Sequence, residues 1–185
     1  EASDIEDPAL AVVEADDDPH RLARVNLHRY AETNAGRTLR YWRDEWWVWK
    51  RNRYVKITDG EFRAKLSNSI KLEFDRIALE KLQESRESKS DTSGPPQAQK
   101  VSMALVSNVM QATSGLVCVG SDTELGTWLP TGEQQAWVST ASGILDIDAV
   151  LADKEESECL SPNSPEWFST VSLPYSFDAS ATCPQ

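Results

Sequence analysis

The sequence predicts an α+β fold: helices packed on a small Trp-rich antiparallel meander, followed by a second, short β-rich part towards the C-terminus. Three observations predict it. From Arg37 to Lys56, RTLRYWRDEWWVWKRNRYVK alternates side-chain character along much of its length, the period of two that marks strands. From Phe62 to Leu82, apolar residues recur every three to five positions, the spacing of one helical stripe. After Gly115 come short apolar runs broken by Gly, Ser, Asn and Pro, a strand-and-turn pattern.

Residues 1–18 hold eight acids and no base. With no aromatic ring to bury, residues 1–17 cannot offset their ordering entropy, and an acidic, disordered linker is expected there. Asp18 followed by Pro19 is a helix N-cap with proline at the first helical position. Leu22, Ala23, Val25, Leu27 and Tyr30 keep helical spacing to about Asn34, where Gly36 ends the helix. The meander breaks at Arg43 to Glu45 and at Lys50 to Arg53, giving three strands, the last from Tyr54 to Thr58. Thr58 and Glu61 have the spacing of a capping box. A long helix over 59–84 follows, its stripe formed by Phe62, Leu66, Ile70, Phe74, Ile77 and Leu82, with Arg63, Lys65, Lys71, Glu73 and Glu80 assigned to the wet side. Residues 85–100, with Gly94, Pro95 and Pro96 and nothing apolar larger than Ala98, read as an exposed loop.

A third helix is expected from Val101 to Thr113, with Val101, Leu105, Val109 and Ala112 on one side and Gly115 as its stop. Leu116 to Val119 is either a strand or the end of the packed region. Ala136 to Thr140 and Ile144 to Ile147 read as a hairpin around Ser142-Gly143, and Thr170 to Leu173 as one further strand. The resulting division is a linker over 1–17, a helical and Trp-rich domain over 18–120, and a β-rich segment over 121–185.

The chain has 185 residues and a formal net charge of -11, long enough for one main domain with about 130 residues in its core. There is no run of eighteen apolar residues, and the start is acidic where a signal peptide is basic and then apolar. The expectation is a cytoplasmic protein with no membrane partner. Cys118, Cys159 and Cys183, at spacings of 41 and 24, match no metal pattern and fit a reducing compartment.

Motifs for chemistry are sparse. Gly115 to Gly120 has the glycine spacing of a phosphate loop, but Ser121 and Asp122 follow where Lys and Ser or Thr are required. His20 and His28 lie eight apart, too far for ligands one helical turn apart. No serine sits in a nucleophile elbow. Asp146 and Asp148 read as strand-end acids rather than as a magnesium pair. No catalytic residue, metal ligand or cofactor of this segment is predicted.

The meander concentrates the remaining signal: four of the seven tryptophans and seven basic residues within twenty positions, a local charge of +5 in an acidic chain. Two readings stand side by side. In one, alternate rings form the inward face of a sheet and the cations are its wet face. In the other, an outward Trp46 with Arg40, Arg43, Lys50, Arg51, Arg53 and Lys56 forms a platform where a base stacks beside neutralised phosphates, as in a stand-alone single-stranded nucleic-acid-binding module. Trp46 and Trp47 are adjacent and point to opposite faces, so one of them is either outside the core or covered by another element.

Several segments together resemble a known family. DPHRLARVNLHRYAETNAGRTLRYWRDEWWVWKRNRYVKI, EFRAKLSNSIKLEFDRIAL, KVSMALVSNVMQATSGL, ASGILDID and LSPNSPEWFSTVSLPYSFDASATCP are similar, in that order, to the region preceding the helicase core in phage, plasmid and poxvirus-type superfamily 3 primase-helicases. The more specific pieces are the Trp-rich stretch with Tyr54, the turn Ser142-Gly143-Ile144-Leu145-Asp146, and Leu173-Pro174-Tyr175 leading to Phe177-Asp178 and Cys183-Pro184. The chain departs at Ser142, where the family usually shows Asn. The resemblance implies a non-catalytic connecting or collar domain in a DNA replication protein, between an upstream primase region and a downstream ATP-dependent helicase core. It further implies a homo-oligomeric, hexameric parent, DNA as a partner, and Mg-ATP bound only by the helicase core. No ATPase residue carries over.

Overall fold

The computed structural model describes residues 14–87 and 97–181. Most of the expected acidic linker, the middle of the expected 85–100 loop, and Cys183-Pro184 lie outside the described residues. The fold is α+β: helices, a central three-stranded meander, and small antiparallel sheets after it.

Helix α1 spans Pro19–Tyr30, and Asp18 caps it by accepting from the Arg21 N–H at 2.8 Å. It stops four residues before Asn34. The chain there folds back as a hairpin of β1 (Glu32–Thr33) and β2 (Gly36–Arg37), helped by the Thr33 hydroxyl donating to the Gly36 carbonyl and by Gly36 at a φ of 123°, a backbone shape that glycine adopts cheaply.

The meander is β3 (Leu39–Trp42), β4 (Glu45–Lys50) and β5 (Arg53–Ile57), antiparallel in that order. Each strand change takes two residues, Arg43-Asp44 and Arg51-Asn52, all four at positive φ, the backbone signature of the tight turn that matches strand twist. Register puts Tyr41 opposite Trp46, Trp46 opposite Ile57, and Val48 opposite both Leu39 and Val55. These residues share one face. The other carries Trp42, Trp47, Trp49 and Tyr54.

Both faces are covered, which resolves the question raised by Trp46 and Trp47. On the first face, α1 packs with α2 (Asp59–Glu87) and α3 (Met103–Leu116), burying Leu39, Trp46 and Ile57 with Leu22, Leu27, Phe62, Leu66, Ile70, Phe74 and Val109. Trp46 lies 4.0 Å from Phe62 between ring centroids. On the second face, Trp42 and Tyr54 are buried with Val119 and Phe168, and Trp47 and Trp49 pack partly against them. The sheet is therefore a shared wall.

The long and the third helix also differ from expectation, the long one running on to Glu87. Glu73, assigned to the wet side of the long helix, is 1 % exposed, because α1 lies across α2 there and places Arg21 and Arg29 over it, at 2.7 and 3.2 Å. The third helix continues through Gly115 to Leu116 and is capped at its start by Ser102, whose hydroxyl accepts from the Leu105 N–H. At the start of α2, Thr58 accepts from the Glu61 N–H as a capping box requires, but the Glu61 carboxylate bonds Lys65.

Residues 117–119 lie beside β3, with Tyr41 donating to the Val117 carbonyl and Val119 donating to that of Tyr41. Beyond them, β6 (Thr127–Trp128) pairs with β7 (Glu133–Gln134) and with β11 (Trp167–Phe168). The expected hairpin is present as β8 (Trp137–Ser139) and β9 (Ile144–Asp146), which also pairs with β10 (Leu160–Ser161). Between them lie the short helices α4 (Ile147–Leu151), capped by Asp146, and α5 (Glu156–Cys159). The expected strand near 170–173 is reduced to one bridge, between Ser172 and Ser139. Trp128, Trp137 and Trp167 form a chain of rings, the first pair edge-on and the second tilted, with centroids 5.8 and 5.6 Å apart.

Candidate nucleic-acid interface

The seven cations of the Trp-rich stretch divide into two groups. Arg40 is drawn inwards: its guanidinium donates to both carboxylate oxygens of Glu166, at 3.0 and 3.1 Å, and to the Tyr54 hydroxyl at 3.3 Å. Arg37 donates to the Leu116 carbonyl and to Glu32. Arg43 stacks 4.3 Å above the Trp42 ring and donates to Glu124 and to the Ser121 carbonyl. Lys56 is paired across the strand with Glu45. These four are joints of the fold.

Lys50, Arg51 and Arg53 are different. All three are exposed, at the turn between β4 and β5, and none forms an ion pair among the described residues. Lys50 and Arg53 pair directly across the strands, on the same face as Val48 and Val55. The turn is held in place: Asn52 donates to the Thr140 carbonyl at 3.0 Å, and Tyr54 donates its backbone N–H to the Ser169 carbonyl at 2.7 Å. A fixed cluster of unneutralised cations is suited to an anionic polymer.

Of the seven predicted site residues, then, Lys50, Arg51 and Arg53 come together at a surface. Arg40, Arg43 and Lys56 are engaged elsewhere. Trp46 does not serve as an outward stacking platform, because its ring is 2 % exposed and sealed between Tyr41 and Phe62.

Tyr54 organises the second face. Its hydroxyl donates at 2.5 Å to the Pro165 carbonyl, 3.2 Å separates it from that of Arg37, and it accepts from Arg40. Burial pushes its phenol up to about 12, against the opposing pull of Arg40. Ser142 uses its hydroxyl to accept from the Phe177 N–H and to meet the Thr140 hydroxyl at 3.2 Å. A short polar side chain thus ties the turn to the segment after Leu173-Pro174-Tyr175.

No group of His, Cys, Asp and Glu suited to a metal occurs among the described residues, and no helix there is long and apolar enough to cross a membrane. Cys118 is exposed, Cys159 is buried, and both are free thiols. No protein-family model matches the chain, and no curated protein or solved structure matches it either.

Proposed function

We propose that this chain is the connecting or collar domain of a superfamily 3 primase-helicase, helping subunits assemble and coupling priming to ATP-driven DNA unwinding. One observation supports it above the rest: Trp42, Tyr54 and Gly143, which lie in the segments that carry the family resemblance, are joints of this fold. Tyr54 bonds Pro165, Trp42 meets Phe168 edge-on at 5.2 Å, and Gly143 lies against the Ser161 carbonyl. The pattern thus specifies a way of joining a helical layer to a β-rich layer through one sheet. In this reading, force and subunit contacts pass through the sheet, while nucleotide polymerisation and ATP hydrolysis belong to neighbouring regions of the parent, where Mg-ATP binds.

The reading is tested in the parent polypeptide. Its sequence beyond Gln185 is expected to contain G-x-x-x-x-G-K-[ST]. Replacing this domain by a flexible linker is expected to leave ATP hydrolysis measurable and to abolish strand unwinding. Undiminished unwinding by the linker variant contradicts the proposal.

A further inference from the structure

The tip of the cation-bearing turn is tied to the β-rich layer through the Asn52 side chain. Asn52 sits at a φ of 65°, a backbone shape that asparagine tolerates better than most residues, and its amide donates to the Thr140 carbonyl at 3.0 Å. Thr140 is 3 % exposed and is fixed within its own turn. Its N–H and its hydroxyl both donate to the Gly143 carbonyl, at 2.7 and 2.8 Å, and its hydroxyl accepts from the Gly143 N–H at 3.1 Å. The residues on either side of Thr140 are bonded to a different segment. Leu173 donates its N–H to the Ser139 carbonyl at 2.8 Å, Ala141 donates to the Tyr175 carbonyl at 3.0 Å, and Phe177 donates to the Ser142 hydroxyl at 3.0 Å.

Residues 169–177 thus form a strap that reaches the cation-bearing turn by two routes. At its start, the Ser169 carbonyl accepts from the Tyr54 N–H at 2.7 Å, at the root of the turn beside Arg53. At its end, Phe177 connects to the tip through Ser142, Thr140 and Asn52. The strap is held mostly by its backbone: Val171, Leu173 and Tyr175 are 56, 42 and 73 % exposed, and Phe177 packs partly against Leu145, Ala149 and Cys159. An element with few buried apolar contacts and exposed backbone bonds opens far more readily than the core beside it. That core is closed, with Tyr54 at 1 % and Phe168 at 0 % exposure. We infer that the strap is a conformational device built into the fold: seated, it holds Lys50, Arg51 and Arg53 as a rigid cationic tip, and lifted at its Phe177 end, it loosens the Thr140 turn, releases Asn52 and lets the tip swing. Coupling of this kind runs in both directions, so loosening the tip also loosens the strap. The device does not depend on the assembly role proposed above.

The test is nuclear magnetic resonance on the full chain, reading amide hydrogen exchange at Phe177 and backbone order parameters at Arg51 and Asn52. Ser142 is exposed, so Ser142→Ala removes the link at the far end of the strap and leaves the core in place. That variant is expected to speed exchange at Phe177 by about fivefold, the size of one lost hydrogen bond, and to lower the order parameters at Arg51 and Asn52 from about 0.85 towards about 0.6. Exchange at Tyr54, which bonds the near end of the strap, and along β4 is expected to stay at wild-type rates. Asn52→Gly keeps the turn's positive φ while removing the amide, and is expected to speed exchange at Phe177 although it leaves every strap residue intact. Ser114→Ala, an exposed hydroxyl on α3, is expected to change neither readout. Order parameters at Arg51 and Asn52 that keep their wild-type values in Ser142→Ala overturn the coupling, and so does wild-type exchange at Phe177 in Asn52→Gly. Faster exchange spread evenly over β4 in either variant also overturns it, since global opening then carries the signal. Order parameters already below about 0.6 at Arg51 and Asn52 in the wild-type chain overturn the rigid tip.

Discussion

Glu73 shows how much one side chain is asked to do. Its buried carboxylate meets Arg76 at 2.7 Å, Arg21 at 2.7 Å and Arg29 at 3.2 Å, so two helices are held at one point. The Arg76 guanidinium foremost, with Arg21, holds its carboxyl down at about 2, against the upward push of burial. Because the folded value lies below the ordinary one, this contribution to stability is complete above about pH 5 and is lost as the pH falls towards 2. Glu73→Gln leaves three arginines without their anion, and breaking such a pair costs about 3 kcal/mol. Urea titrations are expected to show that loss at pH 7, and a shallower decline than wild type between pH 5 and pH 2. An equally steep acid decline in both proteins contradicts the role given to Glu73. The sequence does not reveal this: Glu73 falls outside the expected apolar stripe, and only the crossing of α1 turns that position inwards.

At the scale of elements, the meander was the most legible part of the chain. Alternation located the strands, and the interruptions at Arg43 to Glu45 and Lys50 to Arg53 located the turns to within a residue, because a period of two leaves little freedom of register. What covers each face was not legible. Alternation states that Trp46 and Trp47 oppose one another, but the cover of the Trp47 face includes Val119 and Phe168, which come from far along the chain. The hairpin β8–β9 was also legible from Ser142-Gly143, and its glycine is needed for space: a Cβ at Gly143 would meet the Ser161 carbonyl oxygen at 2.4 Å and Leu160 at 3.0 Å. Since the nearest obstacle is backbone, Gly143→Ala is expected to cost about 1–3 kcal/mol, the range for overpacking a closed site. Thermal unfolding followed by circular dichroism checks this, and an unchanged midpoint would refute the tight approach.

Over the whole molecule, the arrangement is a sheet with a different layer on each side. The helical layer buries a broad aliphatic core, and the C-terminal layer is attached through rings: Trp42, Tyr54 and Phe168, with Tyr54 and Phe168 centroids 5.2 Å apart. The expected boundary near residue 120 falls between segments that share this sheet. Such a design suits a part that transmits position between neighbours, because displacement of either layer is felt at the common wall. Phe168, fully buried at 0 % exposure, is the residue whose loss most directly unseats the C-terminal layer, and Phe→Ala in a closed core costs about 3–5 kcal/mol. The decisive measurement is sedimentation velocity of the parent polypeptide carrying Phe168→Ala. The connecting-domain account predicts that the wild-type ring gives way to smaller species in the variant. A variant that sediments as the intact wild-type ring would contradict it.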